Sequence, residues 1–378
     1  EGVEVIAYKI PLIDKDGGAS GSTVGREDIA RLPVRSAAGV AGTVGGVGVN
    51  EGSGDISVRG SRSDATYFYI DGIKVRGSAN LPKSAIEEVK VITGGLPANY
   101  GDATGGIISV TTRGPSAQYF GSIEAVTSGF YFKGQDPDGY DGKVFGLDKY
   151  GYNLVEGMFS GPLWMQKDST GRKTKPKLGF LISGNLTDQL DTRPIADGGW
   201  RIKKEVRDEL LVNPLRPNSA GTGTFHNASF LRTDDFERVD WRMNSRNTNV
   251  SGQAKIDVNT GPSVNLSFGG SLNYSFGNQY SYSGSLLNFQ NFGAFKSLDW
   301  RVFGRLTQRF TNNTEGSSSK IRSANYSLMV DFSKTKDDVF DPKHEYKIFN
   351  YGHVGTFTTT RRPSYTFNEV ENLYVHDG

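Results

Sequence analysis

The side chains that most often carry catalysis or zinc are scarce in this chain. It has four histidines, His226, His344, His353 and His376, and no cysteine. The histidines fall in loop-like or weakly patterned segments, and no two stand at a spacing that suggests a triad or a metal site. The sequence therefore supports no enzyme and no metal centre, and no cofactor is expected. Asp136-Pro-Asp138-Gly-Tyr-Asp141-Gly142 is acidic enough to suggest calcium, but Tyr140 occupies a position where an EF-hand loop needs a ligand, so a solvated acidic loop is expected. Gly46-Val-Gly48 begins a dinucleotide fingerprint, yet Glu51 stands where the third glycine belongs and no long helix follows. What remains is arginine chemistry: guanidinium forks suited to two-pronged binding of carboxylates.

Composition narrows the setting. A chain of 378 residues has room for two or three domains, and its net charge of +2 without a basic run gives no sign of nucleic acid. No apolar run approaches the ~20 residues of a spanning helix. Membrane strands escape that test because alternation hides their lipid face. The start at Glu1, without methionine or signal peptide, reads as a processed or trimmed N-terminus.

Residues 55–114 carry the densest pattern. Tyr67–Val75 reads as a hairpin turned at Asp71-Gly72, a pair that accepts positive φ. Ser84 followed by Glu87 predicts a capping box opening a short helix, which runs into a strand ending near Thr93. Gly94-Gly95 and Gly105-Gly106 punctuate the segment, and Ile107–Thr112 is its last strand. Upstream, Glu27–Leu32 predicts a helical turn stopped by Pro33.

In order and spacing these pieces resemble the plug domain of TonB-dependent outer-membrane transporters. The shared marks are Arg59-Gly60 after a short strand, the Asp71-Gly72 hairpin, Ala85-Ile-Glu-Glu-Val-Lys-Val91, Tyr100-Gly-Asp-Ala-Thr-Gly-Gly106 and the closing Thr111-Thr-Arg113. The wording of these segments looks most like the Oar-like branch, Bacteroidetes type. The resemblance implies a mainly β fold, with an N-terminal α+β plug inside a transmembrane antiparallel β-barrel, of which the first seven or eight strands are present. It divides the chain into an arm (1–25), a plug (26–115) and the N-terminal part of the barrel (116–378). Because the family closes with many more strands, and a barrel of about eight is filled by its own side chains, the chain is expected to be the N-terminal part of a longer polypeptide.

The resemblance also assigns roles. Val3, Glu4, Val5, Ile6 and Ala7 resemble a TonB box, gripped by strand addition through main-chain hydrogen bonds. Arg59 and Arg113 are expected to pair with the lumen-facing barrel carboxylates Glu124 and Glu156. Arg62, Ser63 and Asp64, with Arg76 and Asn80, would lie on plug loops facing the substrate side.

The barrel is read from period two alone. In Val250–Val258, Val264–Phe276 and Ala324–Phe332 apolar residues alternate with polar ones over nine or more positions. Weaker strands are Tyr119–Phe132, Tyr152–Gly161, Leu178–Leu190 and Trp300–Phe310, the last with Arg301, Arg305 and Arg309 on its inner face. Connections alternate long (135–151, 191–249, 278–299) with shorter (162–176, 260–262, 311–320), as a barrel requires and a soluble sandwich does not. The loop Asp191–Asn249 must hold structure of its own, with a short helix at Lys203–Leu211, and is the best candidate for substrate contact. Residues 345–378 read as aromatic, polar loop.

The expected function is TonB-dependent active transport across a bacterial outer membrane, with the plug rearranged by TonB and its inner-membrane energising complex. The alternative is a non-transporting barrel that acts as scaffold in a larger outer-membrane assembly. Expected partners are TonB, outer-membrane lipid and a surface lipoprotein lid or larger assembly, and no nucleic acid.

Overall fold

The computed structural model describes residues 20–50, 55–75, 81–97, 100–101, 103–116, 118–167, 173–218, 223–261, 263–311, 323–347 and 363–376. The first 116 residues contain a five-stranded sheet. Its members are β1 (Ser20–Gly25), β2 (Thr66–Ile70), β3 (Ile73–Lys74), β4 (Ile86–Gly94) and β5 (Gly106–Thr112). They lie in the order β1-β4-β5-β2-β3, antiparallel except for β2 beside β5. Ser20–Gly25, assigned to the arm by its sequence, is thus an edge strand of the plug sheet.

Two short helices, α1 (Arg26–Arg31) and α2 (Ala37–Ala41), cover one face. Ser36 caps α2 by accepting from the Gly39 N–H at 3.1 Å. Ile29 and Val40 from the helices meet Val89, Val91, Ile108 and Val110 from the sheet in one buried cluster. Each such side chain contributes about 1.5–3 kcal/mol by leaving water. The Asp71-Gly72 turn forms as expected, with φ of 51° and 80°. Gly106 has no side chain for a packing reason: a Cβ there would come within 2.7 Å of the Val58 side chain.

The predicted capping-box helix at Ser84–Glu87 is absent. Lys83–Ala85 makes a single 3₁₀ turn and β4 begins at Ile86. Ile86 and Val89 are buried in the sheet core, and that tertiary packing overrides the local capping signal. The Ser84 N–H donates instead to Glu156.

Seven long strands form the second sheet: β6 (Phe120–Thr127), β7 (Tyr152–Lys167), β8 (Lys173–Gln189), β9 (Asn247–Asn259), β10 (Val264–Asn278), β11 (Ala294–Thr311) and β12 (Ser323–Phe340). Each pairs antiparallel with its sequence neighbour. These are the seven strands read from the sequence, with one adjustment: Tyr119–Phe132 splits, and Gly129–Phe132 leaves the wall to pair with Lys143–Gly146.

Register decides which face each residue takes. Phe159, Ile182, Ala254, Gly270, Val302 and Phe332 fall in one cross-strand row. Phe159, Ile182, Val302 and Phe332 of that row are half or more exposed. The neighbouring row runs Met158, Ser183, Gln253, Ser271, Arg301, Ser333. Of these, Met158, Ser183 and Gln253 are buried. An apolar exposed face backed by a polar covered one is the membrane-wall pattern, inverted from a soluble sheet. Tyr119 stacks on Phe159, and Phe310 lies against Tyr326, where strands end, in keeping with an interfacial aromatic girdle. No helix among the described residues is long and apolar enough to cross a membrane. Among the described residues β6 and β12 are the edges of this sheet, each with one row of backbone groups outside the ladder.

Residues 365–376 differ from the loop expected: Tyr365–Asn368 and Leu373–His376 form a small exposed hairpin.

Candidate functional site

The plug sheet lies against the inner, polar face of the wall, and the contact is built from a few charged groups. Three of the four residues predicted to pair there do reach the interface, with other partners. Glu124 binds Arg35 at 2.7 Å. Glu156, almost fully buried, accepts the Ser84 N–H at 2.7 Å. Arg113 bridges both bodies, donating to the Ser84 carbonyl and facing Met158 Sδ of the wall, each at 3.3 Å. Its carboxylate neighbour, Glu87 at 3.7 Å, belongs to the plug. Burial, reinforced by Arg26, lowers the Arg113 pKa.

Arg59 does not take the role expected of it. It has a φ of 52° and donates to Ser20 Oγ at 2.9 Å, tying β1 down. No ion pair from Arg59 to the wall occurs among the described residues.

Sequence reasoning missed a further plug–wall contact because it has the opposite polarity. Asp71 sits buried at the hairpin tip, where Thr112 donates to it twice, from N–H at 2.9 Å and from its hydroxyl at 2.6 Å. Lys255 of β9 approaches the same oxygen that the Thr112 hydroxyl binds, with Nζ 3.8 Å from Oδ2 and 3.5 Å from Thr112 Oγ1. Arg305 lies about 3.8 Å from where a Gly72 Cβ would stand. A plug carboxylate thus faces wall cations. The available signal was the inner parity of Lys255, Arg301 and Arg305; which turn they met was not in the pattern.

The other predicted residues stand apart. Ser63 and Asp64 lie in a 3₁₀ turn after Arg62. Val3–Ala7, Arg76 and Asn80 lie outside the described residues.

Beyond the wall three loops fold together. The long loop supplies α3 (Lys204–Val212), close to the helix expected, and the small ribbon Gly199–Ile202 with Phe236–Val239. Met243, Phe289 and Phe292 form their core, packed by Tyr140 and Trp241. The acidic loop is not solvated as expected. Asp136 pairs with Lys204, and Asp138 accepts from Arg207 at 2.8 Å. Arg201 donates to Glu237 at 2.7 Å and to the Tyr140 carbonyl at 2.7 Å, with its guanidinium over the Tyr140 ring. No cluster fit for a metal occurs among the described residues.

Under this cap lies a cavity of about 420 Å³, lined by Arg193, Arg242, Asn247, Tyr280, Tyr282 and Phe295. Aromatic faces beside guanidinium groups can hold a ligand with a flat and an anionic part.

The Lys204 ammonium and the Asp138 N–H hold the Asp136 carboxyl below the usual aspartate range, and Asp136 in turn raises Lys204. Because the folded value is lowered, this contact stabilises the cap fully at neutral pH. It is lost only as pH falls through that lowered value, beneath about 3.9. Loop proteolysis is therefore expected to stay flat from neutral to mildly acidic pH and to rise only in stronger acid. Lys204→Gln, lacking the partner, should open at a higher pH than the unaltered protein.

Comparison with known proteins adds a domain match. Residues 14–107 match the TonB-dependent Receptor Plug Domain. The vitamin B12 transporter BtuB of Vibrio vulnificus is 37% identical over 123 residues, 29% of this chain and 20% of that protein. The TonB-dependent transporter Oar of Myxococcus xanthus is 28% identical over 139 residues, 33% of this chain and 13% of that protein. Among solved structures, the alcaligin outer-membrane receptor FauA of Bordetella pertussis is similar at 12% identity and a TM-score of 0.49, covering 86% of this chain and 43% of that one. The chain matches under half the length of each. Over residues 14–107, then, the chain is similar to a TonB-dependent receptor plug domain, and among its relatives Oar is named a TonB-dependent transporter.

Proposed function

We propose that the chain is the plug and first wall strands of an outer-membrane transporter that TonB energises. The division is an arm ahead of Ser20, a plug to about residue 115 and wall from 116 onward. The single observation that carries this reading is the plug sheet seated on the polar face of a strand wall whose other face is apolar and exposed. A plug held by a few charged contacts, rather than by a continuous apolar core, is one that a modest pull can move. Substrate enters through the loop cap and the cavity beneath it, and TonB grips Val3–Ala7 by strand addition. The Oar-like, Bacteroidetes-type assignment rests on motif wording.

The test is capture of the periplasmic domain of TonB by the full-length protein, with and without residues 3–7. Capture that disappears on deletion supports energised transport. Folded protein that captures nothing in either form removes the transport reading and leaves the scaffold.

A further inference from the structure

The wall groups around the Asp71-Gly72 hairpin are unevenly matched. Lys255, Arg301 and Arg305 all point inward from β9 and β11, and all three are largely covered. The nearest carboxylates are Asp71 of the plug, 3.8 Å from Lys255, and Asp331, 3.5 Å from Arg301, with Asp299 lining the gap beside Arg301 and Asp257 two residues along from Lys255, its Oδ1 buried without a partner. Neither Asp71 nor Asp331 closes a hydrogen bond with an arginine. Nε and Nη2 of Arg301, and Nε and Nη2 of Arg305, are buried without a hydrogen-bond partner, as is the Asn273 amide oxygen. Beside Arg301 a gap of about 20 Å³ opens between wall and hairpin, lined by Ile70 and Val75 on one side and by Ser271 and Asn273 on the other. Such a gap holds about one water. Guanidinium donors are costly to bury unsatisfied, and here Arg305 lies beside the Gly72 position of the hairpin while Lys255 lies beside Asp71.

We propose that Lys255, Arg301 and Arg305 form an anion seat on the wall. In this arrangement the plug's own Asp71 occupies it. When the hairpin withdraws, a carboxylate- or phosphate-bearing substrate takes the seat on its way past the plug. Asp71 is then a stand-in for the transported anion, and plug closure and substrate passage compete for the same donors. The inference rests on the transport reading above and names its substrate class.

The competition gives effects of opposite sign, which a general salt effect does not. In full-length protein, plug seating is read as the rate of limited trypsin cleavage within the plug. Sodium formate and inorganic phosphate are added separately, each against a bulky organic sulfonate at equal ionic strength. In the unaltered protein, added anion displaces Asp71 and cleavage rises several-fold. Asp71→Gly keeps the positive-φ turn and removes the carboxylate, so cleavage without anion is roughly tenfold faster, and added anion slows it. Both responses vanish in Lys255→Gln/Arg301→Gln/Arg305→Gln. Formate and phosphate acting alike assigns both head groups, and formate alone narrows the class to carboxylates. A response of the same sign in both proteins, no response in the unaltered protein, or one that survives the wall substitutions overturns the proposal. Should Asp71→Gly fail to insert, the unaltered protein and the wall variant still decide. TonB capture is measured separately, so failure of the seat leaves the transport reading untouched.

Discussion

Replacing Asp191 by alanine is expected to open the loop cap while leaving the wall assembled. The Asp191 side chain has no exposed surface, and it accepts from the Arg193 N–H at 2.9 Å, the Arg242 N–H at 2.8 Å and the Arg242 guanidinium at 2.9 and 2.6 Å. Removing it strands the partly covered Arg242 guanidinium and two amides at the point where β8 leaves the wall. Breaking a buried pair by deleting one partner costs about 3–5 kcal/mol. The lower end applies here, because the Arg242 side chain keeps 14% of its surface and can turn to water. Amide exchange across residues 241–245 should accelerate by about a hundredfold, the equivalent of roughly 3 kcal/mol. Asp191→Asn, which keeps an acceptor but not the charge, should fall between. Unchanged exchange in the alanine variant would mean that the Met243–Phe289 core holds the cap alone.

The second large effect concerns the wall. Val302 lies on the exposed face of β11, between Gly270 and Phe332, and is 50% exposed. A lysine there meets hydrocarbon and should cost about 2–4 kcal/mol. Ser327 lies on the opposite face of β12, across from Thr307, and a lysine there should stay within about 0.5 kcal/mol. The measurement is the urea midpoint of full-length protein in lipid vesicles. Equal shifts for the two variants would contradict the assignment of faces.

The wall was legible in the sequence because its signal is local: each strand declares both faces by alternation, and neighbours in sequence are neighbours in the sheet. Even the inward set Arg301, Arg305 and Arg309 could be read without a structure. The plug was legible through its turns, and the Asp71-Gly72 hairpin formed where those residues place it. What failed depended on contacts between distant segments. Ser84 and Glu87 spell a helix start, but the pull of Ile86 and Val89 into the sheet is stronger. Asp136 and Asp138 look like a solvated acidic loop until Lys204 and Arg207 arrive from a helix nearly seventy residues away. Arg59 and Arg113 were natural choices for the plug–wall pairs, because nothing local shows that Arg59 faces β1 or that the wall's own cations await Asp71.

Position 71 shows how much two demands can narrow a choice. A backbone at φ 51° admits glycine, asparagine and aspartate with ease and penalises nearly everything else. A partner at Lys255 asks for negative charge. Glutamate has the charge but the wrong backbone preference; asparagine has the backbone preference but no charge. Of the twenty letters, one satisfies both, so drift at this site has no neutral direction, and a change on the wall is the only second move that could make room for another.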